Sequence, residues 1–231
     1  MEDWRKYAGD PDVRSVRDLA PVLRDPGCDR TSPAYLMFRD LARSPGDRAW
    51  LSERELRFDV TCVPPGDLCG EFVKTKGHYH PENPSGTEYP EVYEVLSGTA
   101  HLLLQSRDLR KIYLVPAEKG ETIVVPPGFG HVTINPGTGE LVMANIVATC
   151  FESDYRFYEE HRGAAYYELV SGDLEKNPRY PPVPPVETRR PPGTGPAPWP
   201  AGSLYGRVEE RDETLRAFVH PERYPQVFPR L

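Results

Sequence analysis

The chain has 231 residues, of which 38% are hydrophobic, and this suits one large all-β domain or such a domain with appendages. A formal net charge of −7 argues against a protein that binds a nucleic-acid backbone through general basicity, so no nucleic-acid partner is expected. No stretch approaches the roughly 18 apolar residues of a membrane span, and the first residues lack an apolar signal core. We therefore expect a soluble cytoplasmic protein without a membrane partner.

The first 50 residues are predicted to form a helical or extended segment outside the main domain. The stretch 13–19 has a helix-like pattern and precedes the turn-like sequence Asp25-Pro26-Gly27, so one or two short helices are expected. The amphipathic stretch 35–41 fits either a strand or a helix.

Residues 51–170 carry strand signals and are predicted to form the main domain. Polar and apolar residues alternate over Leu56–Val63, and the stretches 92–96 and 100–105 predict a hairpin around Gly98. Further strand-like runs follow at 111–115, 121–125, 132–134 and 141–148. Short strands separated by turns predict a closed β-barrel or jelly roll.

Residues 171–231 are predicted to form a Pro-rich wrap followed by a short helix. Many of the 27 prolines fall in the stretch 181–200, which should resist regular structure. A charged helix is predicted over Val208–Phe218.

The four cysteines lack the spacing of a zinc knuckle. In the reducing compartment expected for this chain, free thiols are predicted for all four. They are Cys28, Cys62, Cys69 and Cys150.

Two short stretches hold three of the six histidines. On a strand, His78 and His80 would face one side and Tyr79 the other, because side chains alternate along a strand. Glu91 and His131 complete a set of three neutral nitrogen ligands and one carboxylate. Such a set suits a divalent first-row metal with open positions for a substrate.

The spacing around these residues resembles the two motifs of the cupin family. Six residues separate Glu91 from Gly98, and the second motif is matched at each of its positions: Gly120, Pro126, Gly128, His131 and Asn135. The first motif departs from the pattern at Phe72, where a glycine is usual, and in the long gap between His80 and Glu91. The resemblance implies an all-β jelly-roll barrel, here with short N- and C-terminal helices.

A narrower resemblance follows from the sequence around the motifs. The chain looks like cupin-type phosphoglucose isomerase in the stretches 74–81, 89–98, 104–105, 125–137, 153–155 and 177–180 and in the tail from 204–205 through 220–221. The resemblance covers about residues 33–231. That resemblance implies a metal-dependent, homodimeric enzyme that interconverts glucose 6-phosphate and fructose 6-phosphate. Iron is the first expectation for the metal, with Mn, Ni, Zn or Co as alternatives.

The resemblance also assigns the site residue by residue. The metal ligands map to His78, His80, Glu91 and His131. The phosphate site maps to Thr61, Thr75 and Gly77, whose hydroxyls and backbone amide can donate to phosphate oxygens. Tyr155 matches a residue near the sugar, whereas Val147 and Ser153 stand where some members carry a tyrosine and a histidine.

Aldose–ketose isomerisation moves one hydrogen between C1 and C2, which requires an acid–base group beside a polarised carbonyl. Glu91 is the predicted base and can also be a ligand; in the rival path, a hydride shift, it would only shuttle a hydroxyl proton. Tyr93 is expected to face the same cavity and orient a sugar oxygen, and Lys76 to add positive charge. Glu94 points to the opposite side of the strand and is expected at the surface.

Other functions stay open on the sequence alone. The chain is consistent with a metallo-cupin that acts on a different sugar phosphate or pathway intermediate, because Val147 and Ser153 depart from the family. It is also consistent with a metal-dependent oxygenase, since the same ligand set binds Fe(II). A cupin that only binds a small molecule is the non-enzymatic alternative.

Overall fold

The computed structural model describes residues 3–191 and 202–228. Its α-helices are short: α1 is Val16–Leu19, α2 is Pro45–Ser52, α3 is Arg156–Glu160 and α4 is Leu204–Glu209. Four 3-10 helices accompany them, at Trp4–Tyr7, Ala20–Val22, Glu213–Phe218 and Pro221–Arg223. The strands, in chain order, are β1 Asp12–Ser15, β2 Pro33–Phe38, β3 Leu56–Val63, β4 Asp67–Leu68, β5 Glu71–Phe72, β6 Glu91–Ser97, β7 Thr99–Ser106, β8 Ile112–Glu118, β9 Thr122–Val125, β10 Phe129–Ile134, β11 Leu141–Ala148, β12 Tyr166–Glu168, β13 Leu174–Lys176 and β14 Glu187–Thr188.

Two sheets face each other and enclose the core. The larger has six strands in the order β1-β2-β3-β11-β6-β9, and the smaller has four in the order β10-β7-β8-β14. The pairs of the main strands are antiparallel, and consecutive strands repeatedly change sheet. This arrangement confirms the predicted all-β jelly roll.

The six-stranded sheet is covered on both faces, and β3 shows the division. Leu56, Phe58 and Val60 point outward into an apolar cluster, whereas Arg57 and Asp59 point inward to a cavity between the sheets. The polar positions of the alternating pattern therefore lie inside the barrel. In most half-buried strands, the polar face is the one that meets solvent.

The outer apolar cluster is completed by both terminal segments. Trp50 and Leu51 of α2, Tyr205 of α4 and Phe218 of the following 3-10 helix are buried against the sheet. A cluster of this kind stabilises the fold by roughly 25 cal/mol for each Å² of apolar surface it removes from water. The segments before and after the barrel thus cover the chain's own sheet.

Gly98 lies at a corner between the two sheets, and the predicted hairpin is wrong. The strand before it, β6, pairs with β11 and β9, whereas the strand after it, β7, pairs with β10 and β8. Gly98 has φ +81°, and a Cβ there would lie 2.9 Å from the backbone oxygen of Glu140. A hairpin turn and a corner between two sheets give the same glycine signal in the sequence, because the pattern does not show which strands pair.

The helix predicted over Val208–Phe218 is also wrong, because the chain turns in its middle. The α4 helix ends at Glu209, and Asp212 caps the separate 3-10 helix by accepting a hydrogen bond from the Thr214 amide. Near the N-terminus, the helix-like stretch 13–19 splits into the end of β1 and the helix α1. Capping by Ser15 starts that helix three residues later than predicted.

Glu94 is buried, which contradicts the surface position expected for it. Its Oε2 accepts a hydrogen bond of 2.6 Å from the Leu204 amide at the start of α4. The carboxylate therefore satisfies one of the free amides at that helix terminus.

The prediction that all cysteines are free thiols is wrong for two of them. Cys28 and Cys69 form a disulfide that links the N-terminal segment to the β4–β5 hairpin, and Cys62 and Cys150 are free. The prediction rested on the reducing compartment expected for the chain, and no local pattern in the sequence links two cysteines that are 41 residues apart.

Part of the Pro-rich stretch has regular structure. The two residues of β14 pair in parallel with Tyr113 and Leu114 of β8, so this piece extends the smaller sheet. The other described residues of the predicted segment, 181–186 and 189–191, lie in no helix or strand, and the stretch 192–201 lies outside the described residues. Among the described helices, none has the length and apolar character needed to cross a bilayer.

We predict that Gly98→Ala lowers the free energy of unfolding by clearly more than Gly120→Ala. Both glycines have positive φ, which costs an alanine about 1–2 kcal/mol. Only Gly98 would also place its Cβ against backbone, because Gly120 has open space around it. Urea unfolding monitored by circular dichroism measures both losses, and equal losses would show that the corner adapts to the new atom.

Candidate metal centre and cavity

His78 and His80 lie on an extended segment that is held by isolated bridges instead of a continuous strand. His78 pairs with His131, and Tyr79 pairs with Asp154. The alternation expected for a strand still holds, because the two imidazoles share one side while Tyr79 is buried on the other. The predicted geometry is therefore confirmed even though the regular strand is absent.

Four side chains meet at one point between the sheets. One candidate ligand atom from each of His78, His80, Glu91 and His131 lies within 4.8 Å of all the others. The Nε2 atoms of His78 and His80 are 3.0 Å apart, and Glu91 Oε2 lies 3.4 Å from His80 Nε2 and 3.3 Å from His131 Nε2. Three nitrogens and one carboxylate oxygen thus converge on a small volume.

Neighbouring groups fix the orientation of two of these side chains. His80 Nδ1 lies 2.8 Å from the Tyr89 carbonyl oxygen, so its N–H donates there and leaves Nε2 with a free lone pair. Asn145 Nδ2 donates to Glu91 Oε1 at 2.6 Å, which turns the other oxygen toward the histidines. Glu91 Oε2 is buried and has no hydrogen-bond partner within the described residues.

Burial and neighbouring charge keep two of the histidines, His78 and His80, neutral. Burial, with the charges of His131 and His80, lowers the pKa of His78 well below its usual value. Burial likewise lowers the pKa of His80 to about 4, although the Glu91 carboxylate opposes that change. Neutral imidazoles present the lone pairs that a metal ion needs.

Glu91 and Tyr93 have opposite protonation preferences. Burial raises the pKa of the Glu91 carboxyl, but the nearby imidazoles of His131 and His80 favour the charged carboxylate and outweigh it, so that pKa lies below its usual value. Burial and the nearby Glu91 charge raise the pKa of Tyr93 well above its usual value. The phenol therefore stays protonated, with its oxygen 3.0 Å from His131 Nε2.

A cavity of about 420 Å³ opens beside the four converging side chains. Every residue that the sequence assigned to the site lines it. The sequence-predicted set is His78, His80, Glu91, His131, Tyr93, Lys76, Thr61, Thr75, Gly77 and Tyr155. Val147 and Ser153, the two departures from the family pattern, line the same cavity.

Lys76 lines the cavity, but its ammonium does not point to the four converging side chains as it would on a regular strand. Gly77 has φ +76°, and this bend separates Lys76 from His78. The Lys76 ammonium instead lies 2.6 Å from Glu159 and over the Tyr155 ring, 5.1 Å from its centroid. Its positive charge is thus partly balanced by an acid outside the ligand cluster.

Gly77 is required by packing as well as by backbone conformation. A Cβ at this position would lie 2.6 Å from Val132 Cγ2 and 2.8 Å from Tyr158 Cδ1. Beside it, Thr75 Oγ1 accepts a hydrogen bond of 3.0 Å from the Thr133 amide. The Thr75 hydroxyl keeps its own hydrogen for another acceptor.

Sequence reasoning missed several polar residues of the cavity wall. They include Arg39, Arg57, Asp59 and Asn145. Asn145 carried a signal, since it is the single polar residue in the otherwise apolar run of β11. The other three looked like the solvent-facing side of an alternating pattern, and only the sheet topology shows that this side faces inward.

Comparison with known proteins identifies the family. The model of the glucose-6-phosphate isomerase (GPI) family matches residues 13–184, well over half of the chain. The chain belongs to the glucose-6-phosphate isomerase family. This confirms the resemblance inferred from the motifs.

Relatives of the chain that carry this name occur in Pyrococcus and Thermococcus. Glucose-6-phosphate isomerase of Pyrococcus abyssi is 32% identical over 130 residues, which are 55% of this chain and 66% of the relative. The isomerase of Thermococcus gammatolerans is 33% identical over 131 residues, with the same coverage. The chain thus spans just under two thirds of the length of these relatives.

A solved structure of Bacillus subtilis oxalate decarboxylase aligns with 53% of this chain and 27% of its own, at 20% identity and a TM-score of 0.37. That likeness is too low to carry a structural or functional argument, so the family assignment rests on the sequence matches alone.

We predict that Asn145→Ala weakens the affinity for a divalent metal by about 10- to 100-fold, because partners that orient a ligand typically contribute that much. The variant removes the bond that turns Glu91 toward the histidines. Competition with a chromophoric chelator measures the affinity.

Asn83→Ala is the matched control, since that amide donates to Glu222 and does not line the cavity. Unchanged affinity in Asn145→Ala would mean that Glu91 keeps its orientation without this bond.

Proposed function

We propose that the protein is a metal-dependent aldose–ketose isomerase that interconverts glucose 6-phosphate and fructose 6-phosphate. One observation carries the proposal: four potential ligands converge in a cavity that also contains the residues predicted to hold a phosphate. Membership of the glucose-6-phosphate isomerase family supports the same reaction.

The four converging residues fit a divalent metal ion. Glu91 Oε2 is a buried carboxylate oxygen without a hydrogen-bond partner in the described part of the chain, and such an atom is costly unless a cation or donor satisfies it. His78, His80 and His131 each place a ring nitrogen beside it. When bound, the ion would polarise the substrate carbonyl and stabilise negative charge on the neighbouring oxygens. Iron is our first expectation, and the same donor set admits Mn, Ni, Zn or Co.

Glu91 and Tyr93 are the proposed acid–base residues. The ionised Glu91 carboxylate lies at the cavity wall, where it can take the C2 proton of the substrate and return it to C1, or shuttle a hydroxyl proton in the alternative path. Tyr93 keeps its proton and is placed to donate to a substrate oxygen between Glu91 and His131. Its proposed role is to orient that oxygen.

Thr61, Thr75 and Gly77 form the proposed phosphate end of the cavity. Two hydroxyls and an amide can donate to phosphate oxygens without adding a permanent charge. Lys76 contributes positive charge near this end. The Tyr155 ring lies between the Lys76 ammonium and His78, and its centroid is 5.4 Å from that of the His78 imidazole. These contacts support binding of a phosphorylated small molecule.

Three further expectations belong to the same proposal. The substrate is a small molecule, with no nucleic acid or membrane involved, and the enzyme works in the cytoplasm. The homodimer implied by the family resemblance stays a prediction, since the terminal segments cover the chain's own sheet and do not call for a partner. Light scattering at micromolar concentration decides between monomer and dimer.

We predict that the protein, purified anaerobically and loaded separately with Fe, Mn, Ni or Zn, converts fructose 6-phosphate to glucose 6-phosphate. Oxidation of the product by glucose-6-phosphate dehydrogenase measures the turnover. Glu91→Gln should reduce turnover by about a hundredfold or more, because it removes a general base. No turnover with any metal would refute the proposal, and full activity in a metal-bound Glu91→Gln variant would exclude Glu91 as the base.

We also predict that Thr61→Val raises KM for fructose 6-phosphate by about tenfold while kcat changes little. The substitution keeps the shape of the side chain and removes one donor to a charged group. Thr122→Val on β9 is the control, since Thr122 does not line the cavity. A fall in kcat at constant KM would place Thr61 near the reacting carbons instead.

A further inference from the structure

A buried carboxylate on β3 holds two arginines at the cavity wall. Asp59 is 2% exposed, and its Oδ2 accepts hydrogen bonds from Arg57 Nε at 2.7 Å and from Arg39 Nη1 at 3.2 Å. Its Oδ1 accepts from the Asp40 amide at 2.9 Å. Both guanidinium groups are therefore fixed in position by charge-assisted bonds.

Arg57 keeps most of its donors for another partner. Its Nε donates to Asp59, and neither of its Nη nitrogens has a hydrogen-bond partner within residues 3–191 and 202–228. The four N–H groups on those nitrogens are thus unused at the wall of the cavity. Arg39, by contrast, donates through each of its three nitrogens, to Asp59, to Asp12 and to the sulfur of Met37.

The strand register puts Arg57 in the same row as Glu91. Arg57 pairs with Val147 of β11. On its other side β11 pairs Ile146 with Val92 of β6, so the antiparallel register sets Val147 beside Glu91. Neighbouring strands lie about 4.8 Å apart, so roughly 10 Å separates the backbones of Arg57 and Glu91, with one strand between them.

The middle of this row offers a ligand no polar side chain. Arg57, Val147 and Glu91 all line the cavity, and Val147 carries no hydrogen-bonding group. A substrate oxygen held over Val147 would therefore have the carboxylate on one side and the unused guanidinium donors on the other. Because Glu91 is the proposed base, the reacting carbons belong at this row.

Hydrogen transfer between C1 and C2 makes one substrate oxygen negative. When Glu91 takes the C2 proton of the open-chain aldose, the C–H electron pair forms the C1–C2 double bond and the C1 carbonyl oxygen becomes negative. The proton of the C2 hydroxyl then moves to that oxygen, and Glu91 returns its proton to C1, which leaves a carbonyl at C2. In the hydride-shift path the C2 hydroxyl first loses its proton, so an oxygen again becomes negative. A donor that is already fixed in place stabilises this charge more strongly than the neutral ground state.

We infer that Arg57, held by Asp59, donates hydrogen bonds to the substrate oxygen that becomes negative during the hydrogen transfer. Arg57 forms no covalent bond and keeps its protons, because a guanidinium does not titrate in proteins. Asp59 is a positioning residue that acts through Arg57. The inference rests on the proposed function and adds a catalytic residue to the same site.

Steady-state kinetics of the metal-loaded full chain give the first test. Arg57→Gln should lower kcat for fructose 6-phosphate by about a hundredfold, because loss of one donor to a developing oxyanion typically costs that much. KM should change by less than about threefold, since the oxygen is uncharged in the ground state. Arg39→Gln takes the same charge from the same carboxylate, and it should lower kcat clearly less. An equal fall in both variants would assign the effect to charge at Asp59 and overturn the contact.

Two probes test the contact by calorimetry without turnover. 5-Phosphoarabinonate carries carboxylate oxygens where the negative charge forms in the reaction, and sorbitol 6-phosphate carries neutral hydroxyls there. Arg57→Gln should bind the first about ten- to a hundredfold more weakly than the wild type, and the second within about threefold. Arg110→Gln removes a charge from a side chain that is 84% exposed between β7 and β8, and it should leave both affinities unchanged.

Arg57→Lys keeps the test decisive if Arg57→Gln does not fold, which thermal unfolding reports. The lysine keeps a cation beside Asp59 but lacks the planar fork of donors. It should therefore lose more affinity for 5-phosphoarabinonate than for sorbitol 6-phosphate.

Unchanged kcat in Arg57→Gln, or an equal loss of affinity for both probes in either Arg57 variant, would overturn the inference and leave the proposed reaction standing. Absent turnover by the wild type, together with Arg57-dependent binding of 5-phosphoarabinonate, would instead refute the proposed reaction and leave the Arg57 contact standing.

Discussion

The site depends on a six-stranded sheet that is buried on both faces with different chemistry on each. Because side chains alternate along a strand, the outward positions of β3, β11 and β6 are mostly apolar, and their inward positions supply Asp59, Asn145 and Glu91 to the cavity. The register places Asp59, Asn145 and Tyr93 in one row across three strands. A slip of one residue would exchange the two faces and empty the cavity of its functional groups. The apolar cover on the outside is therefore a condition for the polar interior.

Polar groups inside the barrel are tolerated because most of them are paired. Asn145 satisfies one oxygen of Glu91, and the Tyr89 carbonyl satisfies one nitrogen of His80. The buried side-chain atoms without partners in the described ranges include Glu91 Oε2 and His131 Nδ1, both of which belong to the ligand cluster. Native proteins leave few such atoms, and here they mark the place where the fold gives up stability for chemistry.

Local patterns predicted the ligand cluster better than the long-range pairing. The i, i+2 spacing of His78 and His80 depends only on backbone alternation, so it held although the segment lacks a regular strand. The corner at Gly98 and the inward position of Arg57 depend on which strands become neighbours. Local patterns in a single sequence do not reveal that long-range pairing. The Cys28–Cys69 bridge was missed for the same reason, because its partners meet only after the N-terminal segment has packed on the β4–β5 hairpin.

The bond between Glu94 and the Leu204 amide joins the start of α4 to the back of β6, the strand that carries Glu91 and Tyr93 on its front. Val92, on that same back face, shares the outer cluster with Leu204 and Tyr205. The C-terminal segment thus supports the ligand strand directly, although Glu94 and Leu204 are 110 residues apart in the chain. Removing the chain from residue 204 onward would leave Val92 facing water and the Glu94 carboxylate without that donor. Fragments that look like a self-sufficient barrel in sequence would then lack the support behind their own ligands.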